Sequence, residues 1–317
     1  MDLVRLETLE ARSWPRPAVT VGNFDGVHRG HQALVAQAVA DARASGGTAV
    51  VLTFDPHPSR VLAPERAPAT LMTLEQKAER LARLGVDRVA VLPFTPLLAA
   101  QPAPEFARRV LHDALQATTV VVGAGFRFGR GRAGDVALLR RLGRSLGFGV
   151  HGMRPVFHQG APISSSRVRE ALARGDVEGA AEMMDRPFCI DGRVVRGVGR
   201  GRTIGIPTAN IAPVNEMLPG NGVYACWIRL GGADRPTWPA VTNVGRRPTF
   251  GGNEITVEAH VLDVDQDFLD QPVRLAFQAR LRPEQTFPGA EALVAQIRQD
   301  IARGRAALGA AGIPDAI

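Results

Sequence analysis

The chain has 317 residues, 45% of them hydrophobic, more than one compact core usually serves, so two domains are expected. Its formal net charge of +7 is carried almost wholly by arginine; Lys77 is the only lysine, and without a Gly-x-x-x-x-Gly-Lys-Ser/Thr string a P-loop nucleotide site is excluded and a Schiff-base lysine is disfavoured. No run of 18 apolar residues offers a membrane span, the first ten residues lack the apolar stretch of a secretory signal, and only Cys189 and Cys226 are available to sulfur chemistry, so a reducing, cytoplasmic setting without disulfides is expected.

The first half alternates strands and helices. Ala18–Val21 is short, apolar and β-branched and reads as a buried strand. Gln32 to Arg43 carries Leu34, Val35, Ala38 and Val39 at helical spacing. Thr48 to Phe54 is a second apolar strand, Leu74 to Leu84 an amphipathic helix and Arg88 to Leu92 a third strand. Pro104 to Leu115 reads as a helix entered through proline, Thr118 to Gly123 as a valine-rich strand, Asp135 to Leu146 as a helix, and Phe148 to Gly152 as a strand. This order implies a parallel sheet covered by helices on both faces, with ligands beyond the carboxyl ends of its strands.

Three loops follow such strands. Gly22 to His31 reads Gly-Asn-Phe-Asp-Gly-Val-His-Arg-Gly-His. Its glycines allow tight turns and close approach of a ligand, and it opens a helix, so Gly22, Asn23, Phe24 and Gly30 are candidates to hold nucleotide phosphates. His28 and His31 share a face; a metal site would need further ligands that no second histidine pair or cysteine cluster supplies. In Asp55-Pro56-His57-Pro58 two prolines hold His57 in a stiff loop. Gly123 to Gly129 follows the valine-rich strand. Further on, Ser164, Ser165 and Ser166 precede a helix through Leu172; their hydroxyls can cap that helix or, with its free amides, hold a triphosphate while Arg169 neutralises a leaving pyrophosphate.

A last short helix, Asp176 to Met184, stops at Arg186-Pro187, and the composition then changes. Short strands separated by glycine and proline turns follow at Cys189–Val195, Val223–Leu230, Trp238–Val244, Ile255–Leu262 and Val273–Leu281, with a closing helix from Gly289 to Leu308. This spacing predicts a small antiparallel barrel, and so domains of 1–185 and 186–317. The loop holding Gly199, Arg200, Gly201 and Arg202 can cradle phosphates through backbone amides, without lysine. Thr208 and Asn210, two apart, point to one face of an extended segment and offer hard oxygen ligands for Mg2+ arriving with nucleotide. Glu258, in an alternating strand, has no role that its position alone assigns.

The decapeptide resembles the amino-terminal motif of bacterial bifunctional riboflavin kinase/FAD synthetases, and the resemblance extends over essentially the whole chain. Ile163 to Arg169 is similar to the Ile-Ser-Ser-Thr-x-x-Arg motif of the nucleotidyltransferase superfamily, with Ser166 for threonine. Gly197 to Asn210 resembles the riboflavin kinase motif ending Pro-Thr-Ala-Asn, and Asn243 to Phe250 the next family motif. The resemblance implies a Rossmann-like amino-terminal domain that adenylylates FMN with ATP to give FAD, and a barrel domain that phosphorylates riboflavin to FMN. It further implies that His28 and His31 stabilise charge at the ATP α-phosphate, that Asp55, His57, Gly125, Phe126 and Phe128 lie at the flavin, and that Glu258 is the general base of the kinase. The sequence departs from the family at Gly125, where Asp or Asn is usual, and at Leu269-Asp270, where Tyr-Gly is usual. The arginines are spread along the chain and aromatics are 5%, so the charge suits ATP and phosphorylated substrates and no nucleic-acid partner is expected. Oligomeric state is left open.

Overall fold

The computed structural model describes residues 1–197, 201, 205–232, 234–249, 252–264, 266–314 and 317. Packing divides the chain into two units: residues 1–69 with 74–164, and residues 70–73 with 165–317.

The first unit runs β1 (Asp2–Arg5), β2 (Ala18–Val21), α1 (Arg29–Ser45), β3 (Ala49–Asp55), a short α2 (Pro58–Leu62), α3 (Leu74–Arg83), β4 (Arg88–Pro93) and α4 (Pro96–Ala99). It continues through α5 (Ala103–Phe106), which passes directly into a π-helical stretch at Ala107–Ala114, then β5 (Thr119–Gly123), α6 (Val136–Leu146), β6 (Gly149–Met153) and a two-stranded ribbon, β7 (Phe157–His158) with β8 (Ala161–Pro162). Six strands form one parallel sheet in the order β1-β4-β3-β2-β5-β6. All of β2 and most of β3 are buried, as continuous apolar runs covered on both faces should be. On one face Val19, Val21, Val50, Leu52, Val120 and Val122 pack with residues of the π-helical stretch and α6; on the other, Ala18 and Ala49 meet Ala42 of α1. Arg43, near the end of α1, pairs with Asp87 at 2.8 Å, and Asp87 also accepts from the Ala49 amide at 2.8 Å. The Arg43 guanidinium holds the Asp87 carboxyl below the usual carboxylate range.

The strand order positions the site. From central β2 the chain builds outward through β3 and β4, then returns to the other side of β2 for β5 and β6. The direction reverses between β2 and β5, and at such a switch point the carboxyl ends of neighbouring strands open a crevice for ligands.

The second unit comprises α7 (Ser165–Ala173), α8 (Val177–Met184), β9 (Phe188–Val195), β10 (Ala209–Pro213), β11 (Gly222–Leu230), β12 (Thr237–Thr249), β13 (Gly252–Val261), β14 (Pro272–Arg282) and α9 (Ala290–Ala311). Its strands close into an antiparallel barrel, β10-β13-β12-β11-β14-β9, which leaves no edge unpaired. Asp300 of α9 is 1% exposed and pairs with Arg282 at 2.9 Å, fastening the closing helix to β14. The α7–α8 hairpin is fastened to the barrel as well: Arg280 donates to the Arg174 carbonyl at 2.9 Å and to the Asn221 carbonyl at 2.7 Å, and its amide donates to Glu178 at 3.0 Å. Beside it Tyr224, the chain's only tyrosine, donates to the Gly220 carbonyl. Burial pushes that phenol up to about 12.

Candidate active sites

In the first unit β2 ends at Val21, and the loop Gly22 to His28 leads into α1 at the switch point. His28 is the N-cap of α1, its Nδ1 accepting from the His31 amide at 3.3 Å. A ring that accepts at Nδ1 carries its proton, when neutral, on Nε2. The His28 and His31 rings stack with centroids 3.7 Å apart, and Phe24 packs against His31 at 5.2 Å. Gly30 gives the stack room, since a Cβ there would lie 3.1 Å from the His28 ring and crowd it. The same Cβ would lie 3.9 Å from the Ile163 carbonyl, so the chain entering the serine motif passes beside the start of α1.

The loop after β3 joins this cluster. His57 caps α2, accepting at Nδ1 from the Ser59 amide at 3.3 Å, and its Nε2 lies 3.0 Å from the Asn23 side-chain amide. The Asp55–Pro56 peptide is cis, and Asp55 pairs with Arg5 at 3.2 Å. The loop after β5 contributes Phe126, partly exposed and stacked on Phe128 at 5.5 Å; Phe128 itself is buried in the core against Phe106. Gly125 is exposed, with nothing within 4 Å of where a Cβ would stand. Ser164 ends the first unit, whereas Ser165, Ser166 and Arg169 lie on α7 in the second, with Arg169 one turn beyond Ser165.

In the second unit β10, β13 and β12 present one polar face. Asn210 is registered opposite Glu258, and Glu258 opposite Asn243, so these three half-buried side chains share a face. Val257 and Ala259, which alternate with Glu258, are buried. Thr208 precedes the register on the same side, next to His260, whose Nδ1–H donates to the Pro207 carbonyl at 2.7 Å. Thr208, Asn210 and His260 line a cleft of about 970 Å³ with Asp263, Asp267 and Phe268. Gly197 lies under the Asn210 side chain, where a Cβ would stand 2.1 Å from its amide nitrogen. Gly201 also lines the cleft; Gly199, Arg200 and Arg202 lie outside the described residues.

Three neighbours of these sites were given no site role by the sequence reading. Asn243 and His260 carry a signal, the alternation of polar positions about Glu258. Lys77, on α3, donates from Nζ to the Asn23 carbonyl at 2.8 Å; being the only lysine was its one distinguishing mark.

A phosphate-type loop at the switch point of a parallel sheet, in one chain with a barrel bearing a carboxylate and hard oxygen donors on one face, defines a two-unit phosphoryl-handling enzyme. A family model described as FAD synthetase matches residues 10–167, and one described as riboflavin kinase matches residues 184–308. The chain is 39% identical over 282 residues to a bifunctional riboflavin kinase/FMN adenylyltransferase of Escherichia coli K12, covering 89% of this chain and 90% of that one. It is 40% identical over 288 residues to the protein of the same description from Pseudomonas fluorescens, covering 90% and 91%. A solved structure described as a macrolide-efflux protein from Streptococcus pneumoniae matches with a TM-score of 0.87 and 29% identity over 96% of this chain and 98% of that one. Among the described residues no helix is long and apolar enough to cross a membrane. The chain belongs to the bifunctional riboflavin kinase/FMN adenylyltransferase family.

Proposed function

We propose that the chain makes FAD in two steps, each with its own set of residues. The observation that carries this is the order of the two family matches along one chain, FAD synthetase then riboflavin kinase. In the kinase step the ribityl hydroxyl of riboflavin attacks the γ-phosphorus of ATP, ADP leaves, and the hydroxyl proton passes to Glu258. Asn210 and Asn243 flank that carboxylate and would fix its direction. In the adenylylation step an FMN phosphate oxygen, already ionised, attacks the α-phosphorus of a second ATP, and pyrophosphate leaves. That step needs no base; it needs donors where negative charge grows. The Nε2 groups of His28 and His31 and the positive end of α1 are assigned that work, and the resemblance assigns Ser164, Ser165, Ser166 and Arg169 to the same step. Asp55, His57, Gly125 and Phe126 are assigned to the flavin, while Phe128, buried in the core, would act only by backing the Phe126 ring.

Among the described residues no group of three or more His, Cys, Asp or Glu could hold a metal ion. The hydroxyl of Thr208 and the amide oxygen of Asn210 fit Mg2+ that keeps most of its ligands as water and phosphate oxygen. Bound there it would offset phosphate charge. Cys189 and Cys226 are not disulfide-bonded, in keeping with a cytoplasmic setting.

Incubation with riboflavin and ATP, with flavins separated over time, tests the reading. FMN should appear first and FAD should follow with pyrophosphate. FMN alone would point to lost adenylylation, for which Gly125 is the motivating residue, and absence of both products would contradict the reading.

A further inference from the structure

Lys77 is the chain's only lysine and is 8% exposed. Lysine is almost never this deeply buried unless its charge is satisfied. Its ammonium donates to the Asn23 main-chain carbonyl at 2.8 Å and to Thr53 Oγ1 at 3.4 Å, and the Thr53 hydroxyl donates to the same carbonyl at 3.1 Å. Three segments therefore meet at one peptide: α3, the end of β3, and the loop after β2. Asp25, itself buried, and Asp55 are the carboxylates whose charges favour the ammonium. Desolvation is the larger influence and holds Lys77 below the usual lysine range.

The pinned peptide leads into unfavourable backbone. Phe24 (φ 50), Gly26 (φ 83) and Val27 (φ 37) all stand in the left-handed region, and two of the three are not glycine. Phe24 and Val27 are fully buried. Such conformations persist where their surroundings over-determine them, and they collect at sites whose geometry matters to function. Both histidine groups depend on this peptide. The Phe24 ring packs on His31, which stacks on His28, and the Asn23 side chain reaches His57.

We propose that Lys77 is a positioning residue for adenylyl transfer: it fixes the Asn23–Phe24 peptide, and through it the His28–His31 stack and His57, without touching substrate. The proposal rests on the reading that the first unit adenylylates FMN. A role in stability alone makes a different prediction. Removing one partner of a buried charged cluster lowers stability whatever its role, but stability alone would leave kcat of the folded enzyme unchanged, whereas a displacement of about 1 Å at a reacting group costs on the order of 100-fold in rate.

The test is Lys77→Met in the full chain, assayed for FAD from supplied FMN, for FMN from riboflavin, and for thermal melting. Expected, at a temperature well below melting, is a fall of about 10- to 100-fold in kcat for FAD formation, with KM for ATP and FMN formation close to those of the parent protein even though loss of the buried charge lowers melting. An unchanged kcat for FAD formation, or an equal fall in both activities with lower melting, would overturn the proposal. A parent protein that makes no FAD in the same assay would instead sink the parent reading, and the proposal with it. A second measurement needs no variant. With 13C-labelled lysine the protein gives a single side-chain ε signal. That signal should shift on saturation with FMN and a non-hydrolysable α,β-methylene ATP, and an unmoved signal would also overturn the proposal.

Discussion

At the scale of single residues, His28 has a structural role in addition to the chemical one proposed for it. By accepting at Nδ1 from the His31 amide it caps α1, and the same bond leaves Nε2 as the proton-bearing nitrogen of the neutral ring. At Gly30 a Cβ would crowd the His28 ring, a reason for glycine that the motif alone does not carry. The same geometry bears on Gly125. A Cβ there meets nothing within 4 Å, and its φ is not among the positive ones, so the family's larger polar residue fits without strain. Gly125→Asn should fold as the parent does and raise FAD formation by about fivefold, the worth of roughly 1 kcal/mol for one added hydrogen bond. Steady-state FAD synthesis from FMN reads this, and a loss of rate would show that the loop works better bare. Glu258 marks the limit of reading residues from sequence. Alternation identifies its face, but only strand register shows that Asn210 and Asn243 flank it.

At the scale of elements, buried strands were the most legible. Ala18–Val21 is read identically from sequence and from structure because continuous β-branched runs leave little choice. β1 was not found: four residues at a sheet edge, three of them exposed, carry no periodic pattern. The segment at Ala107–Ala114 reads as ordinary helix in sequence and is π-helical in structure, a distinction that apolar spacing does not register. The hairpin α7–α8 shows another limit. Its apolar stripe is plain, but periodicity cannot say what it packs against. The composition changes near residue 186, the family matches leave residues 168–183 between them, and packing groups residues 165–184 with the barrel through Arg280 and Glu178. A fragment of residues 165–317 should therefore melt at least about 5 °C above one of residues 187–317, since losing one or two kcal/mol of packing shifts melting by that order. Calorimetry on both fragments decides it. Equal melting temperatures would mean that the hairpin adds nothing to the barrel.

At the scale of the whole molecule, the broad plan was legible because each half keeps one rhythm: strand and helix alternating, then strands at short intervals. The parallel order of the first sheet, with its reversal at β2, and the closure of the barrel became visible only with strand pairing. That pairing gathers the loops after β2 and β3 into one cluster and places Glu258 beside Asn210 on another. The proposed chemistry is divided between these clusters, and one chain is expected to carry two reactions that can be lost separately.

The most direct measurement is a crossed pair of variants in the full chain, Glu258→Gln and His31→Ala, each assayed for FMN from riboflavin and for FAD from supplied FMN. Glu258→Gln keeps the side chain's shape but removes its basicity, and should slow FMN formation about 100- to 10,000-fold. It should leave FAD formation near the parent rate, because the FMN phosphate is already ionised. His31→Ala should do the reverse, slowing FAD formation about 100- to 1,000-fold with FMN formation nearly intact. Reciprocal loss is the result the two-site account predicts. Parallel loss of both activities in either variant, or loss of neither, would contradict it.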